Sequence, residues 1–287
     1  MQLDNECRQC LYESQLKKVI KLRGENATTE LFRRDVRALC DAAPETSCAP
    51  LLMRDIDGIY RSIFGTGIDY SEEKNLFNNA LLAIEDKIFS KIIESEDPLK
   101  EAVKYAMAAN YIDFARLSDL NEDSVKEVIS AAERTVVDEE IYAKLKERVK
   151  NARTMLYLHD NCGEIVLDKL FIRTAKMLNP RLLSVSVVRG GEIINDATRR
   201  DAQQVGLGKY SYVVDSGAAI PGTYLPECNL LTAAFIRESD VVISKGLGNL
   251  ETLYGTCNGL FYMFMCKCSH IARRFSKNLW ETALVCD

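Results

Sequence analysis

The spacing of apolar residues changes once along the chain, close to Ala152, and this change restricts the fold more than any other feature. Before it, from Asn5 to about Lys150, apolar residues recur every three or four positions, which is the spacing of one face of an α-helix. After it, short β-branched or apolar runs alternate with helix-length segments, a pattern typical of a parallel sheet with crossover helices. The sequence therefore predicts an α/β protein in which an all-helical subdomain, residues 1–150, precedes an α/β core, residues 151–287.

Apolar and β-branched runs predict strands at 154–159, 182–188, 212–214, 241–244 and 261–265. Amphipathic segments between them predict helices at 164–178, 197–205 and 230–237. In the first part, capping residues predict helix starts at Ser71 and at Asp97-Pro98, and a further start at Asp119 or Asn121.

The charge balance restricts the partners of the chain. A formal net charge of −5 and a sequence pI near 5.4 argue against a surface for nucleic acid or an anionic membrane, because such surfaces need clustered Lys and Arg. No apolar run of about eighteen residues is present, and the first residues lack the basic and apolar regions of a signal peptide. We therefore expect a cytoplasmic protein whose ten cysteines are mostly reduced and buried. Its oligomeric state stays open.

Acidic, amide and glycine residues follow four of the predicted strands directly. The segments concerned are 160–164, 189–196, 215–217 and 245–249. In an open α/β sheet, ligands bind beyond the carboxyl ends of the strands, so these segments supply the candidate functional residues. Glu164 and Ser216 are included here as candidate substrate-binding residues.

Three oxygen donors in these segments predict a metal site. The carboxylates of Asp160 and Asp196 and the carboxamide of Asn161 are hard ligands that suit Mg²⁺ or Mn²⁺ and leave positions for water and a phosphate oxygen. Lys245 supplies a cation for the phosphate, and a helix starting at Gly163 aims its first amides into the same crevice. A metal, a cation and oriented amides are what phosphoryl transfer requires, so Asp160, Asn161, Asp196 and Lys245 form the predicted catalytic set.

A structural explanation of the same residues stays open. An Asp or Asn after a strand is often a helix cap or a turn residue. Asp196 can cap the helix predicted to follow it, and Asn195 can belong to a turn. His159 is predicted to be a packed, hydrogen-bonded residue on the opposite face of the strand from Asp160.

Three motifs follow one another along the chain: Asp160-Asn161-x-Gly-Glu164, Arg189-Gly-x-x-Ile-x-Asn195-Asp196 and Ser244-Lys245-Gly-x-Gly-Asn249-x-Glu251. In this order they resemble the motifs of the damage-control phosphatase family, also called the domain-of-unknown-function-89 or ARMT1-like family. Cys7-Arg8-Gln9-Cys10-Leu11 resembles a motif of the microbial branch, and residues 110–114 are similar to a Gly-Asn-x-Ile-Asp run of the family. Departures occur at Ala109, where Gly is usual, and at Glu192, a position often occupied by Pro.

The resemblance implies a Rossmann-like α/β/α core with a mainly parallel sheet, preceded by a helical region. It implies hydrolysis of small phosphorylated metabolites, namely sugar phosphates, phosphopantetheine-like compounds or damaged relatives of them. Carried over residue by residue, it makes Asp160, Asn161 and Asp196 the metal ligands and places Lys245 at the phosphate, with Arg189, Asn195 and Asn249 lining the pocket. The ion stays open among Mn²⁺, Mg²⁺, Co²⁺ and Ni²⁺. The nucleophile stays open between a metal-activated water, with Glu164 or Asp196 as base, and direct attack by an aspartate.

Two other phosphatase patterns fit less well. Asp55-Ile56-Asp57-Gly58-Ile59 resembles the nucleophile motif of haloacid-dehalogenase phosphatases, but Arg54 interrupts the expected strand and Ile59 lacks the expected hydroxyl group. Cys48 to Arg54 and Cys268 to Arg274 have the Cys-x5-Arg spacing of cysteine phosphatases, yet neither interval contains glycine.

The remaining alternatives concern other classes of function. An S-adenosylmethionine-dependent carboxyl methyltransferase suits a Rossmann-like core, but no Gly-x-Gly loop follows the first strand. A non-catalytic binding module predicts binding of metal or phosphate without turnover. Cys7 and Cys10 together with Cys266 and Cys268 form either a four-thiolate metal or redox site or a set of buried thiols, and the second interpretation is favoured because no second Cys-x-x-Cys is present.

Overall fold

The structure, a computed structural model, describes residues 1–109 and 122–287, with the backbone alone described for residues 122–126. The motif at 110–114 and the predicted helix caps Asp119 and Asn121 lie outside the described residues. Within the described ranges, no helix combines the length and the apolar character needed to cross a membrane.

The first part of the chain is helical, as predicted. Its helices are α1 (Asn5–Arg23), α2 (Ala27–Ala42), α3 (Ala49–Phe64), α4 (Ser71–Leu82), α5 (Glu85–Glu94), α6 (Pro98–Ala108), α7 (Glu122–Arg134) and α8 (Glu139–Asn151). The helices α4 and α6 begin at Ser71 and Pro98, as predicted. Asp97 caps α6, since its carboxylate accepts from the Lys100 amide, but Ser71 does not cap α4: its own amide donates to the Asp69 carboxylate.

The second part alternates strands with helices. Its elements are β1 (Thr154–Leu158), α9 (Glu164–Leu178), β2 (Leu183–Val188), α10 (Arg199–Gln204), β3 (Tyr212–Asp215), α11 (Leu230–Glu238), β4 (Val241–Lys245), α12 (Gly246–Leu253), β5 (Phe261–Met265), α13 (Ser269–Arg274) and β6 (Thr282–Cys286). The five predicted strands are confirmed. The strand β6 was not predicted, because it returns antiparallel to β5 without the helix-length crossover that marked the other strands.

The strands form one sheet in the order β3-β2-β1-β4-β5-β6, parallel except for β6. This is the order of a doubly wound α/β sheet, in which the direction of winding reverses between β1 and β4. The carboxyl ends of β1 and β4 therefore flank the crevice where such folds bind ligands.

Both faces of the sheet are buried, as an α/β/α sandwich requires. Met155 and Tyr157 of β1 share a core with Phe171 of α9 and with α6, whereas Leu156 and Leu158 pack on the other side with α11 and α12. Helices on both sides of residue 150 contribute to the first of these cores. The predicted α/β class with a mainly parallel sheet is confirmed.

The first three helices have a hydrophobic core of their own. Its buried members from α2 and α3 include Phe32, Val36, Ile56 and Tyr60. An ion pair of Arg54 with Glu227 and a hydrogen bond from Arg61 to the Glu192 carbonyl oxygen attach α3 to the loops at the carboxyl edge of the sheet. One wall of the crevice is therefore helical.

Candidate active site

The loops after β1 and β2 lie side by side at the reversal point of the sheet. The Ala197 amide donates to the Asp160 carbonyl oxygen at 2.8 Å, and the Cys162 amide donates to the Asn195 carbonyl oxygen at 2.9 Å. These two main-chain bonds pair Asn161 with Asp196 as a short antiparallel bridge. Two segments 35 residues apart in the sequence are thereby held in register.

Asp160 and Asp196 form a buried carboxylate pair beside one guanidinium. Arg189, only 1% exposed, donates from Nε to Asp196 Oδ2 at 2.6 Å and from a terminal nitrogen to Asp160 Oδ1 at 3.5 Å. Burial, followed by the negative charges of Asp196 and Glu164, raises the pKa of Asp160 to about 8. Burial also raises the pKa of Asp196, against the opposing effect of Arg189. Ionising both carboxylates beside a single arginine is therefore unfavourable.

The amide of Asn161 connects this pair to the first turn of α9. Its Nδ2 donates to Asp160 Oδ2 and to Glu164 Oε1, both at 2.9 Å. Glu164 is buried, and its other oxygen accepts from the Lys245 ammonium at 3.2 Å. The helix predicted to start at Gly163 is confirmed, with Gly163 as N-cap at a φ of 71°.

Lys245 ends β4 and is fully buried. Its ammonium donates to Asp168 Oδ1 at 2.8 Å in addition to Glu164. Burial by itself would lower the pKa of Lys245, but the carboxylates of Asp168 and Glu164 raise it. The ammonium therefore stays charged and is directed at two carboxylates of α9.

Asp168 was missed by the sequence analysis, although it lies four residues after Glu164 and so shares a face of α9 with it. Its carboxylate accepts from Tyr157 Oη at 2.8 Å and lies 3.0 Å from His159 Nδ1. The prediction that His159 is packed and hydrogen-bonded is confirmed, and its burial lowers its pKa against the effect of Asp168.

Asn249, Ser216 and Asn195 lie around this centre. Asn249 donates to the carbonyl oxygens of His159 and Lys245, and its Oδ1 accepts from Arg189 at 3.3 Å. Ser216 Oγ accepts from the Gly190 amide and so joins the loops after β2 and β3. Asn195 is half-buried in a turn with Ile194, and its described contact is the main-chain bond from Cys162.

The structure decides between two explanations of the loop after β2. Thr198, not Asp196, caps α10: its amide and hydroxyl both donate to Asp201 Oδ2 at 2.8 Å. Asp196 is therefore directed into the site rather than at a helix end. The turn interpretation of Asn195 agrees with the structure.

The other phosphatase motifs lack the geometry they require. Asp55 and Asp57 lie within α3 and pair with Arg54 and Arg61, so the haloacid-dehalogenase alternative is wrong. Cys48 and Cys268 are N-cap residues, and the arginines of both intervals lie within the helices that follow, so neither interval forms a phosphate loop. Burial also raises the pKa of both thiols, whereas a nucleophilic cysteine needs a lowered one.

The ten cysteines all lie in described ranges and are free thiols. Four of them are buried, and Cys10 is exposed. Among the side chains of residues 1–109 and 127–287, no three His, Cys, Asp or Glu residues are placed together as metal ligands. Cys7, Cys10, Cys266 and Cys268 therefore form no four-thiolate site there.

The donor set of Asp160, Asn161 and Asp196 differs from such a group because its third member is an amide. Burial raises the pKa values of both carboxylates, and the charge of Asp196 adds to the rise at Asp160, so ionising both is unfavourable. A divalent cation fits this pair, because its positive charge stabilises the ionised carboxylates. A close backbone approach completes the surroundings: a Cβ atom at Gly246 would lie 1.9 Å from Asp160 Oδ2. The residues present therefore fit a hard cation such as Mg²⁺ or Mn²⁺.

Replacing Gly246 by Ala is expected to displace the Asp160 carboxylate and to lower affinity for Mn²⁺ by about 10–100-fold. The matched control is Gly255→Ala, because the two glycines have nearly the same φ, 79° and 78°, and a Cβ at Gly255 meets nothing within 4 Å. Both variants share a backbone strain of about 1–2 kcal/mol. Isothermal titration with Mn²⁺ measures the difference, and equal affinity in the two variants would contradict the role of this contact.

Comparison with known proteins finds the family that the three motifs resemble, over nearly the whole chain. The family model described as the damage-control phosphatase ARMT1-like domain matches residues 4–281. A damage-control phosphatase from Pyrococcus horikoshii is 32% identical over 189 residues, which cover 64% of this chain and 63% of the relative. A damage-control phosphatase from Archaeoglobus fulgidus is 28% identical over 225 residues, or 76% of each chain. An uncharacterised protein from Methanocaldococcus jannaschii is 24% identical and covers 98% of this chain and 94% of its own length.

A solved structure has the same fold. The crystal structure of a DUF89 family protein from Pyrococcus horikoshii, at 2.04 Å resolution, matches with a TM-score of 0.88 and 24% identity, covering 100% of this chain and 99% of the other. The resemblance that the three motifs suggested is thus confirmed by sequence and by architecture. The chain belongs to the damage-control phosphatase family with the ARMT1-like domain.

Proposed function

We propose that the protein is a metal-dependent phosphatase that hydrolyses small phosphorylated metabolites. The observation that supports it most directly is the convergence of Asp160, Asn161 and Asp196 at the reversal point of the sheet, with Arg189 between the carboxylates. Relatives named damage-control phosphatases support the reaction class. Metal dependence and the kind of substrate are part of the proposal.

In this proposal, Asp160, Asn161 and Asp196 hold the ion, and Arg189 orients the two carboxylates. A divalent ion, when bound, polarises the phosphate oxygens and supplies an activated water. The first amides of α9 and α12 start at the same crevice, where helix N-termini favour a phosphate group. Lys245 acts through Glu164, because its ammonium contacts that carboxylate directly.

The groove beside α3 suits the alcohol part of a small substrate. Its volume is about 680 Å³, and its lining includes Arg54, Asp57, Arg61, Glu192 and the loop 217–220. Guanidinium and carboxylate groups together bind hydroxyl groups well, since they supply both donors and acceptors. In this proposal, the groove takes the hydroxyl-bearing part of a sugar phosphate or a similar small metabolite.

A panel assay tests the proposal. Phosphate release from sugar phosphates and phosphopantetheine-like compounds is measured with Mn²⁺, Mg²⁺, Co²⁺ or Ni²⁺, and with the metal removed by a chelator. We expect turnover of at least one compound that depends on the ion and is lost on chelation. Turnover that survives chelation would contradict the metal, and binding of Mn²⁺ without any turnover would favour a binding module. Titration with S-adenosylmethionine tests the methyltransferase alternative.

A further inference from the structure

We infer that Asn78, a buried residue of α4, is a positioning residue that sets the distance between the two loops carrying the candidate metal ligands. This inference rests on the proposed function. Asn78 is 0% exposed and lies in the helical part of the chain, which contributed no residue to the predicted site. Its role follows from the partners of its two side-chain atoms.

The acceptor of Asn78 holds the first loop. Its Oδ1 accepts a hydrogen bond from the Gly163 amide at 2.7 Å. Gly163 follows the candidate ligand Asn161 by two residues and is the N-cap of α9. A buried main-chain N–H without a partner is costly, so this bond strongly favours one position of the loop.

The donor of Asn78 holds the second loop. Its Nδ2 donates to Asp201 Oδ1 at 2.9 Å and to Gln204 Oε1, at the end of α10, at 2.8 Å. The other oxygen of Asp201 accepts from Thr198 and from the ammonium of Lys74 at 2.8 Å. Asp201 thereby fixes the start of α10, directly after the candidate ligand Asp196.

One amide group therefore spans the two loops, in addition to the main-chain bonds between them and the contact of Arg189 with Asp160. Lys74, one turn earlier on α4, reinforces the second attachment by pairing with Glu192 at 2.8 Å as well. Because metal ligands have to be held within about 0.5 Å of a productive geometry, losing such a support weakens metal binding. Replacing a group that orients metal ligands typically lowers affinity by about 10–100-fold.

The test separates two effects of a substitution at Asn78 on cation affinity, namely the added negative charge and the loss of the hydrogen bond that positions the loops. Asn78→Asp keeps the size of the side chain and its acceptor for Gly163, but removes the donor and places a second carboxylate against Asp201. The added negative charge alone would tighten the binding of a cation. Loss of the hydrogen bond that positions the loops would weaken it. Asn79→Asp is the matched control, since Asn79 is the next residue of α4, is exposed, and contacts Gln204.

Affinity for Mn²⁺ is measured by isothermal titration on the full chain, with thermal unfolding to verify folding, and phosphate release is measured at increasing Mn²⁺. We expect Asn78→Asp and Asn78→Ala to bind Mn²⁺ about 10–100-fold more weakly than the wild type, with turnover partly restored by excess Mn²⁺. Asn79→Asp is expected to bind as tightly as the wild type or more tightly. Should Asn78→Ala not fold, the isosteric Asn78→Asp decides.

Two outcomes would count against the inference in different ways. If the wild type binds Mn²⁺ and releases phosphate while Asn78→Asp binds the ion equally or more tightly, the inference is wrong and the proposed function stands. If the wild type itself binds no Mn²⁺, the proposed function is wrong and the inference fails with it.

Discussion

Replacement of Asp160 by Asn is expected to lower kcat/KM for phosphate release by about a thousandfold and to abolish measurable Mn²⁺ binding, because the amide carries no charge to hold the ion. The side chain keeps its size, and Arg189 retains Asp196 as its stronger partner at 2.6 Å. The fold is therefore expected to survive, and the loss to appear in the chemistry.

The matched control for this variant is Asp215→Asn. Asp215 ends β3 at the same edge of the sheet, but its carboxylate pairs with Arg199 at 2.6 Å near the surface. Its replacement is expected to change kcat/KM by no more than about twofold. Full activity of Asp160→Asn at saturating Mn²⁺ would exclude Asp160 as a ligand.

The same variant has a consequence for stability in the metal-free protein. Because the folded-state pKa of Asp160 is raised to about 8, the folded protein holds a proton that the unfolded chain releases near pH 4. This bound proton stabilises the folded state fully below about pH 4, and the stabilisation is lost as the pH rises through 8. We expect the free energy of unfolding of the chelated wild type to fall between pH 5 and 8, and this fall to be smaller in Asp160→Asn.

Replacement of Lys245 by Met is expected to destabilise the protein by about 3–5 kcal/mol, because it leaves the buried carboxylates of Glu164 and Asp168 without their cation. Activity is expected to fall as well, even per folded molecule, because Glu164 also contacts Asn161. Urea unfolding and single-temperature kinetics measure the two effects separately.

Lys169→Met is the matched control for Lys245→Met, because it removes a buried lysine that contributes to stability but does not contact the site. Lys169 is also buried, on the same helix as Glu164, and its ammonium contacts Glu85 at 2.7 Å and the Val205 carbonyl oxygen. Its loss is expected to lower stability, with kcat/KM per folded molecule within about twofold of the wild type. If Lys245→Met matched Lys169→Met in both measurements, the proposed link from Lys245 to the site would be wrong.

Local patterns were sufficient for most of the fold. Strands such as β1 and β5 carry continuous apolar runs because both faces of the sheet are buried, and this is visible in the sequence. The strand β6 has a similar run, yet its antiparallel return needs contact with β5 to be recognised. Strands were predicted where a local apolar run identifies them, and β6 was missed because its recognition depends on its pairing with β5.

Candidate ligands were recognised from position alone, since residues after parallel strands meet at one edge of the sheet. The sequence also contained the helical spacing of Glu164 and Asp168, but not the fact that both receive the ammonium of Lys245. That ammonium was predicted to face the phosphate, and the structure directs it at α9. Side-chain direction depends on which charges the packed core brings within reach, and spacing does not specify this.

The sequence by itself determined the α/β class, the strands that carry the candidate ligands and the motifs of the family, because each depends on residues close together in the chain. Only the tertiary structure decided that Asp196 is free of helix capping, that Asn78 from the helical part joins the two loops, and that Gly246 lies against Asp160. These contacts link segments up to 123 residues apart, as between Asn78 and Asp201, and form only when the helices pack on the sheet.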